Sequence, residues 1–185
     1  VSIRKNTCAQ VYATESGFAI AYPMMSKALA GDTVTRLCRE VGIPTEIFSD
    51  NAKEFVMPGT EFQRAAKHYK IKTRSTEPHT PRQNKIVEGT IGHIRKRWLH
   101  IRQTTGAHAR LWDFAVEWIC EIMSRTYREK YGRTGMEVLT GDTPDISNYT
   151  DFTFYDRVWF WKTPSAQEPP QPGRWIGVAN DVGTG

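Results

Sequence analysis

The chain has 185 residues, 39% of them hydrophobic, with 25 Lys and Arg against 20 Asp and Glu for a net charge of +5. That length supports one domain with a core plus a small appendage, and six Trp, seven Tyr and eight Phe exclude a disordered polymer. Cys8, Cys38 and Cys120 are scattered, with no CxxC pair. They exclude a zinc finger and a disulfide framework and point to a reducing, intracellular compartment. Neither a membrane-spanning run nor a signal peptide is present. The sequence opens on Val1 and closes without an end signal, so it reads as a slice of something longer.

In chain order, Cys8–Thr14 and Phe18–Met24 alternate loosely about Glu15-Ser16-Gly17 and predict a hairpin. Lys27 to Val41 has helical spacing, with Asp32 as the expected cap and Gly42-Ile43-Pro44 as the stop. Thr45–Asp50 reads as a strand, Thr60–Tyr69 as a short helix capped by Thr60, and Ile71–Thr76 as extended. Two prolines keep Glu77–Asn84 irregular. From Ile86 the period changes: Val87, Ile91, Ile94, Trp98 and Ile101 form one helical stripe. A second long helix is expected from Ala107 to Tyr131, ended by Gly132 and Gly135. After a polar stretch, Phe152–Trp161 and Gly173–Ala179 read as strands around a proline-rich loop. The expected division is a main domain over 1–140, a linker over 141–151 and a β-rich segment over 152–185. That segment is either a small separate unit or an extension packed on the main domain.

Two acids stand out. Asp50 ends an apolar strand, where the open sheets of α/β proteins place their sites, although an Asp after a strand also simply starts a turn. Glu88 opens the Ile86 helix on the flank of its apolar stripe, where the helix dipole also favours an acid. Two carboxylates in one cleft repel unless a cation lies between them. Hard oxygen ligands without Cys or paired His favour Mg²⁺ or Mn²⁺, ions suited to phosphoryl transfer. From Arg64 to Arg102 eleven Lys and Arg face only Glu77 and Glu88, so this segment carries +9 and the remainder −4. Such a block suits a polyanion, or else forms a solvated face.

The runs SDNAKEF (Ser49–Phe55) and PHTPRQNKIVEG (Pro78–Gly89), in this order and at this spacing, resemble the integrase core of copia-type LTR retrotransposon polyproteins. The likeness extends to KNTCAQVYATESGFAIAYPMMSK, FYDRVWFW and GRWIGVA, and so spans most of the chain. It implies an α/β, ribonuclease H-like mixed sheet flanked by helices, incomplete at the N-terminus, with a small β-rich C-terminal extension. It further implies a parent enzyme that processes DNA 3′ ends and joins them to target DNA with two divalent metals, Mg²⁺ or Mn²⁺. Asp50 matches the family's second catalytic aspartate and Glu88 its glutamate, both metal ligands. Lys53, Gln83, Asn84, Lys85, Arg95 and Lys96 are the expected DNA contacts. The implied partners are double-stranded DNA and further copies of the chain, with no membrane; the parent's location is the nucleus or a virus-like particle. The sequence departs from the pattern at Ala52 and Lys85, where the motif has glycine, and the first catalytic aspartate is expected upstream of Val1. A non-catalytic nucleic-acid-binding or assembly module on the same fold, and a different ribonuclease H-like nuclease, remain as alternatives.

Overall fold

The computed structural model describes residues 1–76, 85–162 and 169–179. Strands β1 (Cys8–Ala13) and β2 (Ala19–Met24) form an antiparallel hairpin in register Cys8↔Met24 to Ala13↔Ala19. Gly17, at φ 92°, supplies the left-handed residue its turn requires. Strands β3 (Glu46–Ser49) and β4 (Lys72–Ser75) run parallel, Glu46 facing Lys72 and Ser49 facing Ser75. Among the described residues no hydrogen-bonded ladder joins the two pairs.

Helices pack on both pairs, against Val11, Tyr12, Ala19 and Ala21 of the hairpin and Ile47 of β3. On one side Ala19 and Ala21 pack with Ile94 of α4 (Lys85–Thr105) and with Ile119, Cys120 and Met123 of α5 (Trp112–Arg125). On the other, α1 (Ala30–Glu40) and α3 (Glu61–His68) enclose Ala30, Val34, Ile47, Phe62, Ala66 and Ile71. Adjacent residues of β1 serve opposite layers. Val11 packs on the first cluster and Tyr12 on the second, where the Tyr12 hydroxyl meets Thr33 Oγ1 at 2.9 Å. Each fully buried Ile or Phe of these layers contributes roughly 1.5–3 kcal/mol. Helix α1 approaches α3 so closely that a Cβ on Gly31 would lie 2.5 Å from the backbone carbon of Glu61.

Thr60 caps α3 as expected, its hydroxyl accepting from the Gln63 amide. Helix α1 begins at Ala30, two residues before the expected cap, because a 3₁₀ turn over Lys27–Leu29, capped by Ser26, leads into it. Helix α5 is much shorter than the expected 107–131. A 3₁₀ turn at Ala109–Leu111 precedes it, and the extended backbone of Thr126 ends it. The chain then folds back through β5 (Tyr127–Arg128) and β6 (Arg133–Thr134) around Gly132, a left-handed residue at φ 61°. Close packing fixes that reversal: a Cβ on Gly135 would lie 2.2 Å from the Phe18 amide nitrogen. Helix α6 (Gly135–Thr140) follows, with a capping box between Thr134 and Glu137.

In the stretch expected as a linker, α7 (Ser147–Thr150) places the Tyr149 hydroxyl 2.9 Å from Glu121 Oε2. Beyond it Phe154, 1% exposed, lies against Trp98 and Trp118. Strands β7 (Arg157–Phe160) and β8 (Gln171–Arg174) make the last hairpin. Here β8 stops where the expected strand Gly173–Ala179 was beginning. Trp175 still bonds across to Tyr155 and Asp156, but Ile176 leaves the ladder to join the cluster around Ala107, Ala115 and Phe154.

Candidate metal and nucleic-acid site

Residues 49–55 run from the end of β3 through the connection 50–52 into α2 (Lys53–Val56). The parallel pairing of β3 and β4 brings both carboxyl ends to one rim. There the Thr76 amide donates to the Ser49 carbonyl at 3.0 Å, and the Asn51 side-chain amide donates to the Thr76 carbonyl at 2.6 Å. Asp50 and the chain that continues toward α4 therefore leave from adjacent strand ends. Asp50 is exposed, and its Oδ1 accepts from the Ala52 amide at 3.1 Å, an Asx turn. Its second oxygen has no protein partner among the described residues. Phe55 anchors this segment edge-to-face on Phe62, ring centroids 4.9 Å apart, while the Gln63 side chain donates to the Phe55 carbonyl. Glu54 meets Lys27 at 3.3 Å, and Lys53 faces solvent.

Lys85, expected in the loop before Glu88, lies in α4 as the first of its described residues, two positions before the stripe starts at Val87. Gln83 and Asn84 lie outside the described residues. Glu88 is exposed in the first turn of α4, with no protein partner among the described residues. At 100° per residue, Lys85, Glu88, Gly92, Arg95 and Lys96 share one face of α4. Arg97 falls on the opposite flank, and the buried Ile94 points the other way. Arg95 and Lys96 are exposed and unpaired among the described residues. A Cβ on Gly89 or Gly92 would meet nothing among the described residues within 4 Å, so neither glycine serves packing against them.

The basic block divides in space. Arg64 pairs with Glu61 at 3.2 Å, and Lys72 and Arg74 both face Glu46, at 3.9 and 2.5 Å. Those cations are partly neutralised on the β4 and α3 side. Lys85, Arg95 and Lys96 of α4 have no acid partner among the described residues and are open to an external anion.

Among the described residues, no cluster of three His, Cys, Asp or Glu side chains could hold a metal. Asp50 and Glu88 are of the right chemistry for Mg²⁺ or Mn²⁺, but together they fall short of the ligand set of a two-metal site. Two roles were not among the sequence expectations: Asn51 as the tie between strand ends, and Asp113 in a polar cluster on α5. Asp113 has 0% side-chain exposure; it accepts from Arg4 Nε at 2.8 Å and Asn6 Nδ2 at 2.9 Å. Burial pushes its carboxyl up, but the hydrogen bonds from Arg4, Asn6 and Ser2 outweigh that and hold it below the usual range. Glu117, also on Arg4 at 2.5 Å, is raised by burial, which its arginine only partly offsets. A lone Asp inside the apolar run LWDFAVEWIC was the available signal.

No family model matches this sequence, and no curated protein does. Solved structures do match. The catalytic core domain of BIV integrase aligns with a TM-score of 0.56 at 15% identity, over 72% of this chain and 91% of that one. The HTLV-2 integrase catalytic core domain in complex with magnesium gives 0.53 at 17%, over 71% and 92%. A chain of the simian T-cell lymphotropic virus intasome, solved with PP2A regulatory subunit B56 gamma, gives 0.57 at 16%, over 89% of this chain and 66% of its own length. The chain thus has the α/β, ribonuclease H-like fold of an integrase catalytic core, a mixed set of strands flanked by helices.

Proposed function

We propose that this chain is part of the integrase of a copia-type retrotransposon, a core that grips double-stranded DNA and contributes Asp50 and Glu88 to a divalent-metal site. The observation that carries the reading is the parallel β3–β4 pair: its two carboxyl ends, tied by Asn51 to Thr76, send Asp50 and the chain leading to Glu88 out at one rim. The unpaired cations on the Glu88 face of α4 support a phosphate-rich occupant. In this reading Lys53, Lys85, Arg95 and Lys96 bind backbone phosphates, with Gln83 and Asn84 in the adjoining loop. A bound Mg²⁺ or Mn²⁺ would supply charge stabilisation for phosphoryl transfer. The described residues do not make a full site for it, and no catalytic step is assigned to them. The parent protein, in which such chemistry occurs, acts in the nucleus or a virus-like particle and works as an oligomer.

A labelled DNA duplex titrated across a salt series tests the grip. Binding should weaken with salt at about 0.9 in log K per log salt for each phosphate neutralised, and R95E/K96E should weaken it further. A salt-indifferent affinity, or one unchanged by R95E/K96E, overturns the reading. Calorimetric titration with Mn²⁺ tests the metal: binding lost in D50N and in E88Q supports a shared site, and binding unaffected by either removes it. The absence of a three-ligand cluster among the described residues favours one second reading, a nucleic-acid-binding module without catalysis. DNA binding that persists while both acid variants leave Mn²⁺ binding untouched selects it.

A further inference from the structure

The β7–β8 hairpin exposes aromatic surface that its own fold does not use. Trp159 is 68% exposed, and Trp161, two residues on, is 59% exposed. The register pairs Arg157 with Arg174 and Trp159 with Pro172, which puts these four on one face. On the opposite face the Phe160 ring lies against Gly173, where a Cβ would sit 3.0 Å from it, and Phe160 is less exposed than either tryptophan, at 43%. Neither strand carries an Asp or Glu, and Lys162 adds a third cation. Arg174 is held by the hairpin: its guanidinium lies 4.7 Å from the Tyr155 ring centroid and donates to the Tyr155 carbonyl at 3.1 Å. Arg157 has no ion-pair partner among the described residues. Two arginines directly opposite each other are unfavourable in a sheet, and an anion between them relieves the repulsion.

We infer that this face binds single-stranded nucleic acid, with unpaired bases stacking on Trp159 and Trp161 and the backbone phosphates lying on Arg157 and Arg174. Exposed aromatics interleaved with cations are the recognition chemistry of single strands. Spacing argues for unpaired bases over a duplex. Trp161 lies one residue beyond the end of β7; if the strand's alternation continues, it sits on the same face about 6.8 Å from Trp159, roughly twice the 3.4 Å rise per nucleotide of a stacked strand. Each indole therefore suits a base separated from its neighbour, and a duplex buries those base faces. This inference does not depend on Asp50, Glu88 or the α4 cations.

The test is fluorescence anisotropy with labelled oligothymidylate and with a duplex of equal length. Single-strand affinity should fall about tenfold for W159A or W161A and recover in W159F and W161F, while R157E lowers it and steepens no other property of the fold. Duplex affinity should be set by R95E/K96E and remain within about twofold in the tryptophan variants. Thermal melts of the exposed-site variants should match the parent chain, so loss of folding is separable from loss of binding. Oligothymidylate binding that is absent, or unchanged in W159A/W161A, overturns the inference. So does a parallel loss of single-strand and duplex affinity. Failure of duplex binding alone counts against the proposed integrase reading and leaves this one standing.

Discussion

Two aspartates separate the two sides of this molecule. Asp113 lies wholly buried on α5, its carboxylate taken up by Arg4 and Asn6. Asp50 lies exposed at the end of β3, with one oxygen on a turn amide and the other without a protein partner among the described residues. The first has no capacity left for a ligand and acts by pinning residues 2–6 to α5; the second adds little to the fold and keeps its capacity. The glycines repeat the contrast. Gly31 and Gly135 sit where helix or hairpin backbone leaves no room for a Cβ, whereas Gly89 and Gly92, beside Glu88, face open space among the described residues. In these two pairs, burial with a filled set of partners marks the scaffold, and exposure with an open oxygen or an open helix face marks the candidate site.

The largest effect that would sharpen this comparison comes from the packed side. Ile119→Ala, at a residue 1% exposed between α5 and the hairpin, should cost about 3–4 kcal/mol in urea-induced unfolding. A cost under about 1 kcal/mol would mean that the α5 layer is not part of the cooperative core.

Asp113→Asn should cost about 2–3 kcal/mol at pH 7. That is below the value for a fully buried pair because Arg4 keeps 36% of its side chain in solvent and retains Glu117. The pH dependence has a definite sign. The Asp113 carboxyl is lowered in the fold, so its contribution is complete above the unfolded value near 4 and is lost as pH falls through the folded value. The gap between parent and variant should close in acid. Glu117 is raised, so it works oppositely: it favours the fold below its unfolded value and loses that contribution as pH rises through its folded value. Glu117→Gln should therefore gain stability relative to the parent as pH rises through that range. Stability curves of both variants from pH 3 to 8 check the two signs.

The paired glycines give the next contrast. Gly31→Ala should destabilise by about 1–3 kcal/mol, because α1 and α3 must separate to admit the methyl group. Gly92→Ala should stabilise by about 1 kcal/mol through helix propensity alone. If the open face of α4 meets DNA closely, the same change should weaken duplex binding while raising the melting temperature. Opposite signs for stability and affinity in one variant would tie Gly92 to the ligand, and stabilisation with unchanged affinity would release it. The smallest effect belongs to the candidate ligands themselves. D50N and E88Q should each shift stability by no more than about 0.5 kcal/mol, as exposed substitutions do. A larger loss would place these acids among the structural residues and dissolve the comparison.

The sequence by itself determined much of the local structure. The alternation of Cys8–Met24 specified the hairpin, the 3–4 spacing from Val87 to Ile101 specified α4, and Thr60 specified the cap of α3, because period and capping are properties of neighbouring residues. It also brought Asp50 and Glu88 into view, since a carboxylate placed against an apolar pattern needs a reason. Tertiary structure decided what such patterns leave open. Helix α5 ends at Arg125 because Gly135 must reach the turn at Gly17 and Phe18, a contact across more than a hundred residues. The basic block was one feature in the sequence, but in space Glu46 and Glu61 take up Lys72, Arg74 and Arg64, while Lys85, Arg95 and Lys96 of α4 have no acid partner among the described residues. Asp113 and Asp50 are alike as letters. Which of them is consumed by the scaffold depends on the partners that folding brings within hydrogen-bonding distance, and for Asp113 those partners lie more than a hundred positions away.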